Sequence, residues 1–406
     1  MRRVTLFIDS LASGGAQRQV VEAARALHGD ASYAWQPSIA WYNDKDRFVS
    51  LPDGVEAAPI ARSGRSDVAF AGRLRSRFGT DRADVIHAFL SAPSLYAAIA
   101  RHAGGAPAIV GVRCSADAFV DHRADALTYL AAAHLADHVT VNATDVVDWL
   151  AERDIPTERI SYVPNMLAAA VADRIPSTKD ERDACLRGYG IDPETPPITL
   201  VGRYDEYKNQ DGLLRAIAGL VAAGFAVPPV LFVGRATSEQ RSTKLRELTA
   251  APGMPQVVFA EPTPKILTVM ESSRLVALVS HSEGTPNVVL EALGLGRLVV
   301  ATPVGQVPEL IQHGATGWLA ADTSDESIAA VLSDALSVST ERAETTSNAA
   351  RADVLQRFGR DAVSKRLVEL YGEVAKRPRR PRTTAAIKAL MQVSQEVRAG
   401  GSINRF

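Results

Sequence analysis

Short apolar runs alternate along the chain with longer segments of helical periodicity. The short runs have the length and the continuous apolar character of buried parallel strands, which are covered on both faces. Between the first two runs, apolar residues recur at helical spacing at Val20, Val21, Ala24 and Leu27. Strands are predicted at 4–8, 36–41, 84–88, 108–112, 138–142, 198–202, 230–234, 256–259, 275–280 and 297–301.

This strand–helix alternation occurs twice, which predicts an α/β protein with two Rossmann-like, doubly wound parallel-sheet domains. The pattern is interrupted between Pro164 and Lys179 by prolines and polar residues, where we expect a linker. Open parallel sheets bind ligands at the carboxyl ends of their strands, so the two sheets are expected to face each other across a cleft. The predicted segments are 1–170, 171–359, a helix over 360–375 and a tail over 376–406.

The stretch from Glu283 to Glu291 carries the most informative chemistry. A helix is predicted to begin at Thr285-Pro286-Asn287, because proline at a first helical position loses no hydrogen bond. Three backbone amides at the helix start would then be free and would form an anion site suited to a phosphate. They belong to Asn287, Val288 and Val289. Glu291, one turn further on the same face, can accept hydrogen bonds from sugar hydroxyls. A carboxylate on each side of a phosphate site indicates a nucleotide-sugar.

Two cations follow another predicted strand. The strand over 198–202 leads directly into Arg203, and Lys208 lies just before a helix predicted over 209–218. At the carboxyl end of a parallel strand, Arg203 can bind a diphosphate through its forked donors and Lys208 can add a point charge. The alternative is that both are ordinary solvated cations.

The first strand is followed by the glycine pair Gly14-Gly15 and then by a helix predicted over 16–27. Glycines between a strand and a helix allow a close approach of backbone to ligand, although a simple tight turn is the alternative.

The second half of the sequence resembles the donor-binding half of the retaining glycosyltransferases of family 4, which have the GT-B fold. The E-x7-E pattern of that family corresponds to Glu283 and Glu291, with Gly-Thr-Pro-Asn between them and Pro308-Glu-Leu-Ile311 downstream. The resemblance covers roughly residues 1–375, strongly in the second half and loosely in the first. It implies that a final helix over 360–374 crosses back to the first domain.

The resemblance also implies roles for residues outside this stretch. Arg203 and Lys208 would supply the cations for the donor diphosphate, and the Gly14-Gly15 loop would face the donor phosphate. Glu291 would hold the ribose, while Glu283 would orient the donor sugar and stabilise positive charge at its ring carbon. These residues would replace a metal ion, and no cofactor is expected because the nucleotide-sugar is a co-substrate.

Several positions depart from the family pattern. The second glycine after the final strand is Gln306, and the junction retains only Asn165 of a common Asn-Gly-Val-Asp. Many members have a histidine near the reacting centre where this chain has Arg113, which is a weak candidate for contacts with the acceptor or leaving group. His87 is a second weak acceptor-side candidate, with a buried, hydrogen-bonded histidine as the alternative.

The implied activity is metal-independent, retaining hexosyl transfer from a UDP- or GDP-linked sugar to a hydroxyl of a glycan or lipid-linked acceptor. Its expected setting is the synthesis of a cell-surface polysaccharide or glycolipid. Two alternatives remain open: a nucleotide-sugar epimerase, and a non-catalytic partner subunit that binds nucleotide but transfers nothing.

Composition limits the partners. The chain has 45 basic and 46 acidic residues, a net charge of −1, so no basic excess indicates nucleic acid. Cys114 and Cys185 form no disulfide or metal pattern, and the N-terminus contains no apolar signal segment, which favours the cytosol. The tail over 376–406 is strongly basic and includes an amphipathic stretch at 385–397. It predicts either peripheral binding to the anionic inner face of a membrane, or a solvated or packed tail.

Other motifs are weaker. Asp44-Lys45-Asp46 fits the Asp-x-Asp of metal-dependent glycosyltransferases of another fold, but we do not expect it to bind metal. The chain has neither a Gly-x-Gly-x-x-Gly nor a P-loop pattern, which argues against a dinucleotide oxidoreductase and a P-loop nucleotidase.

Overall fold

The computed structural model describes residues 1–12, 14–43, 49–64, 69–80, 82–102 and 105–377. Two segments considered in the sequence lie outside these residues. They are Asp44-Lys45-Asp46 and the tail from residue 378 onward.

The described chain forms two compact units. Unit 1 combines the described residues of Met1–Met166 with those from Arg360 to Arg377, and unit 2 is Leu167–Gly359. The boundary expected after residue 170 lies slightly beyond the observed one after Met166.

Unit 1 is built on a parallel sheet of seven strands, in the order β3-β2-β1-β4-β5-β6-β7. Its strands are β1 Arg2–Phe7, β2 Trp35–Trp41, β3 Glu56–Pro59, β4 Val85–Phe89, β5 Ala108–Val112, β6 His138–Val141 and β7 Ile160–Tyr162. Strands β4, β5 and β6 are buried at every residue, as are the last four residues of β1, which explains their continuous apolar character in the sequence. The order reverses direction between β1 and β4, so a topological switch point lies there.

The helices of unit 1 cover both faces of this sheet. They are α1 Gly15–Gly29, α2 Ala69–Thr80, α3 Ser91–His102, α4 Ala118–Asp121, α5 Arg123–Leu135 and α6 Asp145–Ala151. A further helix, Arg360–Val374, returns to unit 1 from the end of unit 2. It contributes Leu367, Leu370 and Tyr371 to the same core as Val20 and Leu27 of α1. Burial of this apolar face holds the returning helix on unit 1.

Unit 2 contains a parallel sheet of six strands, in the order β10-β9-β8-β11-β12-β13. Its strands are β8 Ile198–Val201, β9 Val230–Val233, β10 Val257–Ala260, β11 Leu275–Leu278, β12 Val299–Ala301 and β13 Trp318–Leu319. Strand β8 lies between β9 and β11, which again creates a switch point at the carboxyl ends of two neighbouring strands.

Nine helices, all within the described residues, belong to unit 2. They are α7 Ala169–Ala172, α8 Lys179–Gly188, α9 Gln210–Ala222, α10 Glu239–Leu248, α11 Ile266–Glu271, α12 Asn287–Gly294, α13 Val307–Leu310, α14 Asp325–Ser337 and α15 Thr340–Phe358. The returning helix of unit 1 is therefore α16. No helix in the described part of the chain is both long enough and apolar enough to cross a membrane.

The prediction of two Rossmann-like parallel sheets is confirmed, and three strands were missed. Strand β3 exposes or half-exposes all four of its residues, and β7 and β13 contain only three and two residues. Such short, weakly apolar edge strands leave little periodicity in a sequence.

Candidate functional site

The switch point of unit 2 brings together the two segments that carry most of the predicted site. Arg203 and Lys208 follow β8, and Glu283 follows the neighbouring strand β11. The two loops are also joined directly, because the backbone N–H of His281 donates to the Tyr207 carbonyl at 2.7 Å. Sheet topology thus places residues distant in sequence at one edge.

Lys208 and Glu283 form an ion pair at this edge. Lys208 Nζ lies 2.5 Å from Glu283 Oε1, and the two side chains are 22% and 14% exposed. A charged pair that is partly withdrawn from water interacts more strongly than a surface pair. In the ligand-free protein, Glu283 therefore serves as the counter-ion of Lys208.

Glu283 is held by groups that follow two neighbouring strands, β11 and β12. The hydroxyl of fully buried Ser280 donates to Glu283 Oε1 at 2.7 Å, and Thr302 Oγ1, just after β12, donates to the Ser280 carbonyl at 2.7 Å. Gly305 packs against the Glu283 backbone so closely that a Cβ atom there would lie 1.9 Å from the Glu283 carbonyl oxygen. Its φ of +51° also favours glycine. The loop that presents Glu283 is consequently fixed from three directions.

Asp205 organises the loop between β8 and α9. Its Oδ1 accepts the backbone N–H of Lys208 at 2.9 Å, and its Oδ2 lies 3.3 Å from Arg203 Nη2. The Arg203 side chain is 75% exposed, so it reaches into solvent while Asp205 limits its range. Asn209 ends the loop in the left-handed conformation with φ of +52° and caps α9 by accepting from the Gly212 amide.

A buried arginine supports the same loop from behind. Arg241 Nη2 donates to the Asp205 carbonyl at 2.9 Å and to Asp211 Oδ1 at 2.6 Å. Burial raises the pKa of Asp211, but the hydrogen bond and charge of Arg241 outweigh it and hold that pKa well below its usual range. Asp211 is therefore ionised at neutral pH, and the pair fixes α9 and α10 beneath the cation-bearing loop.

Helix α12 begins at Asn287, with Pro286 as its N-cap residue. The Val289 N–H donates to the Pro286 carbonyl at 3.1 Å, so the prediction that this amide is free is wrong. The reason is a tight first turn, in which the cap carbonyl accepts a hydrogen bond from three residues ahead. Asn287 and Val288 are half-buried at the helix start, and Glu291 is buried at 5% exposure.

In unit 1, the glycine pair begins α1. Gly14 is extended and Gly15 is the first helical residue. A Cβ atom on Gly14 would lie 2.1 Å from Gln17 Oε1 in the structure. Gln17 in turn donates from Nε2 to Asp9 Oδ1 at 3.4 Å, just after β1. The absence of a side chain at Gly14 therefore makes room for a polar link between strand and helix.

His87 has the arrangement of a core histidine. It is fully buried, with Nδ1 2.8 Å from the Tyr371 hydroxyl and Nε2 3.0 Å from Thr140 Oγ1. Its ring also stacks on Phe89 at a centroid distance of 4.3 Å. Burial, with the nearby charge of Arg113, lowers the pKa of His87 well below its usual value. These contacts support the structural interpretation of His87 that the sequence left open.

Arg113 follows β5 at the carboxyl edge of the sheet in unit 1. Its guanidinium lies 5.0 Å from the ring centre of Phe89, and Nη1 donates to the Val163 carbonyl at 3.1 Å. Its Nε atom is buried without a hydrogen-bond partner among the described residues. Burial lowers the pKa of Arg113 to about 10, so the side chain still carries its charge at neutral pH.

Several supporting residues were not predicted from the sequence. Asp205, Ser280, Thr302 and Arg241 position the predicted side chains. Of these, only Asp205 could have been predicted from the sequence. A carboxylate between the two candidate cations Arg203 and Lys208 is expected to pair with one of them and so to fix the loop. Among the described residues, no group of three histidine, cysteine, aspartate or glutamate side chains could hold a metal ion.

Comparison with protein families gives two matches. Residues 4–166 match the family described as "Glycosyl transferase 4-like domain", and residues 182–353 match the family described as "Glycosyl transferases group 1". The two matches lie within unit 1 and unit 2, respectively, and together they cover most of the chain.

Curated relatives include several proteins named D-inositol 3-phosphate glycosyltransferase. The protein of Rhodococcus erythropolis is 30% identical over 59% of this chain and 54% of the relative, and that of Rhodococcus opacus is 33% identical over 45% and 42%. The chain thus spans about half the length of the curated relatives it matches.

Solved structures resemble the chain over most of its length. Anabaena Alr3699/HepE in complex with UDP and glucose has a TM-score of 0.74 at 18% identity, covering 91% of this chain and 99% of that one. WaaG, a glycosyltransferase involved in lipopolysaccharide biosynthesis, has a TM-score of 0.68 at 16% identity, with coverage of 91% and 99%. At these identities the likeness concerns the fold alone.

Proposed function

Because this chain belongs to the family 4 glycosyltransferases and has their GT-B fold, we propose that it transfers a hexose from a nucleotide-sugar to an acceptor hydroxyl with retention at the anomeric carbon. The observation that carries the proposal is the Lys208–Glu283 ion pair beside Arg203 at the switch point of unit 2. Two cations and a partly buried carboxylate suit a ligand that combines a diphosphate with a sugar.

In the proposed reaction, the bond between the anomeric carbon and the diphosphate oxygen breaks, and the acceptor oxygen forms its bond on the same face. The departing nucleoside diphosphate gains negative charge. Lys208 would exchange Glu283 for a phosphate oxygen, and exposed Arg203 would close onto the same diphosphate. Preorganised cations in a partly desolvated site stabilise such charge more than water does.

Release of Glu283 from Lys208 would leave its carboxylate, still held by Ser280, facing the donor sugar. There it would orient the ring and stabilise positive charge at the anomeric carbon. Glu291, one helical turn inside α12, would accept hydrogen bonds from the ribose. The backbone N–H groups of Asn287 and Val288 would add to the diphosphate site through the helix N-terminus.

Unit 1 would receive the acceptor. We propose UDP- or GDP-linked sugars as donors and a glycan or lipid-linked molecule as acceptor, in cell-surface polysaccharide or glycolipid synthesis. The Anabaena structure contains UDP and glucose, and the curated relatives are named for D-inositol 3-phosphate, so a UDP-sugar and D-inositol 3-phosphate are the first donor and acceptor to test.

The proposal is tested by incubating the protein with a panel of UDP- and GDP-sugars and candidate acceptors, and by assigning the anomeric configuration of any product by NMR. Transfer with a retained anomer supports the proposal, and an inverted product contradicts it. Conversion of donor without acceptor would identify an epimerase. Nucleotide binding without any turnover would identify a partner subunit.

We further propose that the reaction needs no divalent metal. The two cations and the helix amides occupy the role that a metal fills in other glycosyltransferases. Turnover in the NMR assay should therefore continue in excess chelator. Loss of turnover that manganese restores would contradict this assignment.

The basic tail over 376–406 is proposed to bind anionic lipid. It contains eight lysines and arginines and one glutamate, and each cation near an anionic surface contributes about 1 kcal/mol, which salt screens. Deletion of residues 378–406 should abolish co-sedimentation with anionic vesicles at low salt, while transfer to a short soluble acceptor continues. Equal sedimentation of the full chain and the deletion variant would contradict the membrane role, and insolubility of the deletion variant would favour a tail that packs on the fold.

A further inference from the structure

Among the described residues, three arginines lie around one carboxylate at the amino edge of the unit 2 sheet, opposite the edge of the candidate functional site. The carboxylate is Glu271, which lies shortly before β11. Arg174 binds both of its oxygens, each at 2.9 Å. Arg297, shortly before β12, donates from Nη1 to the Glu271 backbone carbonyl at 3.2 Å. Arg182, on α8, donates from Nη1 to the carbonyl of Ser177, whose hydroxyl binds the Glu271 carboxylate.

Glu271 is fully engaged by the segment that leads into α8. Besides the two contacts with Arg174, it accepts from the Ser177 hydroxyl at 2.5 Å and from the Ser177 backbone N–H at 3.3 Å. Burial raises the pKa of Glu271, but the hydrogen bonds of Arg174 and Ser177 outweigh it and lower that pKa. Glu271 is therefore the ionised counter-ion of Arg174 and is not available as a direct partner for the other two arginines.

The carboxylates of α8 do not pair with these two arginines either. Asp183 pairs with Lys179 at 2.7 Å, and Glu181 caps the start of its helix. Neither forms an ion pair with Arg182 or Arg297 in the part of the chain that the structure describes. Burial lowers the pKa of Arg297 and the charge of Arg182 lowers it further, so the two guanidinium groups lie within electrostatic reach of each other.

Both arginines keep donors that a ligand can reach. Arg182 uses only Nη1, whereas Arg297 uses Nη1 and also Nε, which donates to the Gly296 carbonyl at 3.0 Å. Nε and Nη2 of Arg182 and Nη2 of Arg297 have no acceptor among the described residues. None of these three atoms belongs to the buried polar atoms that lack a partner, so each remains open to solvent. Two half-buried guanidinium groups are thus held by the protein with their remaining edges accessible.

The charge and the number of donors favour a phosphate group over a carboxylate. Three arginines against one carboxylate leave an excess of two positive charges, and three donor atoms are open. A phosphate monoester carries about −1.5 to −2 charges at pH 7 and has three strong acceptor oxygens. A carboxylate has one charge and two oxygens, so it would leave one of the two arginines without an anion.

We propose that Arg182 and Arg297 form a phosphate-binding site of unit 2, and that a phosphate group bound there fixes the segment over 173–178 to α11. The phosphate would bridge Arg182, which holds the Ser177 carbonyl, and Arg297, which holds the Glu271 carbonyl. Strand β11, with four residues, separates this amino edge from the carboxyl edge by roughly 13 Å. Binding at this place is therefore independent of the proposed transfer reaction.

Isothermal titration calorimetry with inorganic phosphate at constant ionic strength tests the site. Because Lys208 at the opposite edge can also bind phosphate, the titrations use the Lys208→Ala protein. Addition of Arg182→Met or of Arg297→Met should weaken phosphate binding at least about tenfold, because charge-assisted hydrogen bonds are lost. Loss of the same ion in both variants is the result expected of a bridging site. An unchanged titration in either variant would overturn the proposal.

Arg357→Met is the matched control, made in the same Lys208→Ala protein. Arg357 of α15 is also half-buried and also donates to a backbone carbonyl, that of Glu309 at 2.8 Å, but Asp353 lies 2.9 Å away as its counter-ion. Its phosphate affinity should be unchanged. A loss as large as that in Arg297→Met would show a response to overall charge and would overturn the site.

Arg297→Lys keeps the test open if Arg297→Met does not fold. The lysine retains the positive charge but not the planar guanidinium, so it should retain part of the phosphate affinity. An affinity equal to that of the Lys208→Ala protein in both Arg297→Lys and Arg182→Lys would show that charge alone attracts the ion, and would contradict the assigned donor atoms.

Amide hydrogen exchange tests the bridging role. Phosphate should slow exchange over 173–178 in the Lys208→Ala protein, because the Ser177 N–H that bonds Glu271 lies in the segment that the ion fixes. The protection should be lost in Arg297→Met, which leaves the contact between Arg182 and Ser177 intact. Phosphate binding without any change in exchange over this segment would identify an adventitious ion only.

A ligand panel then distinguishes the sources of the phosphate group. Inorganic phosphate, a hexose phosphate, a nucleoside monophosphate and acetate are compared by the same calorimetry. Tighter binding of a monoester identifies a phosphorylated metabolite as the ligand, and tighter binding of inorganic phosphate identifies the free ion. Binding of acetate as tight as that of every phosphate compound would overturn the assignment of a phosphate site.

Discussion

The carboxyl edges of the two sheets differ in whether their candidate cations have carboxylate counter-ions. In unit 2, Lys208 is neutralised by Glu283 and Arg203 lies beside Asp205, so each candidate cation has an internal counter-ion. In unit 1, Arg113 has no carboxylate partner among the described residues, and His87 is buried in a neutral hydrogen-bonded setting. An anionic ligand at the first edge would have to displace an internal carboxylate, whereas Arg113 at the second edge has none to displace among the described residues.

This difference affects which property a mutation should change. Removal of Lys208 in unit 2 leaves Glu283 without its counter-ion. The free energies of the free protein and of the ligand-bound state therefore both change. Removal of Arg113 in unit 1 relieves an uncompensated charge in the free protein. We therefore expect catalytic effects to be largest in unit 2, and pH-dependent stability to be largest in unit 1.

The largest effect is expected for Lys208→Ala. If Lys208 stabilises the departing diphosphate, its loss should raise the transfer barrier by ~2–4 kcal/mol, with a smaller effect on donor binding. Steady-state kinetics and nucleotide titration measure the two quantities. Lys244→Ala is the control, because Lys244 pairs with Asp211 at 3.2 Å and is 54% exposed on α10. Turnover within twofold of wild type in folded Lys208→Ala would contradict the assignment.

A second, smaller effect concerns the stability of unit 1 in acid. Burial lowers the pKa of His87 well below its usual value and lowers that of His138 to about 4, with the charge of Arg377 adding to the second shift. Below a pH of about 6.5 these two histidines bind protons in the unfolded chain but stay neutral in the folded chain. The free energy of unfolding should therefore fall as the pH drops towards 4. Each histidine contributes up to about 1.4 kcal/mol per pH unit.

Amide hydrogen exchange between pH 7.5 and pH 5, corrected for intrinsic rates, measures this stability in each unit. His138→Gln should reduce the slope for unit 1. His87→Gln should reduce it further at some cost in stability at neutral pH, because Tyr371 and Thr140 lose their partner. An unchanged slope in both variants would show that other groups govern the acid sensitivity.

The smallest of these effects is expected for Ser280→Ala. Loss of the hydroxyl that donates to Glu283 should raise the activation barrier for kcat by roughly 1–2 kcal/mol. Nucleotide affinity should stay unchanged. A merely structural role would lower stability without this selective loss of kcat. Ser273→Ala is the control, because Ser273 is also buried in unit 2 but bonds Thr199 and the Val269 carbonyl.

The sequence by itself determined the α/β class and the repetition of the strand–helix pattern, and it supplied the candidate site residues. Continuous apolar runs such as Val230–Val233 can be satisfied only by strands buried on both faces, so they were visible without a structure. Arg203, Lys208, Glu283 and Glu291 were visible because charged groups directly after strands or within the first turns of a helix stand out from their apolar surroundings.

Tertiary structure alone decided the partners of these residues. The contact between Lys208 and Glu283 depends on β8 and β11 being neighbours in the sheet, although β9 and β10 lie between them in sequence. The same applies to Ser280 with Thr302, and to His87 with Tyr371 of the returning helix. Periodicity reports which face of a segment is buried, but not what covers it. For that reason the lack of a carboxylate partner for Arg113 among the described residues could be recognised only from the structure.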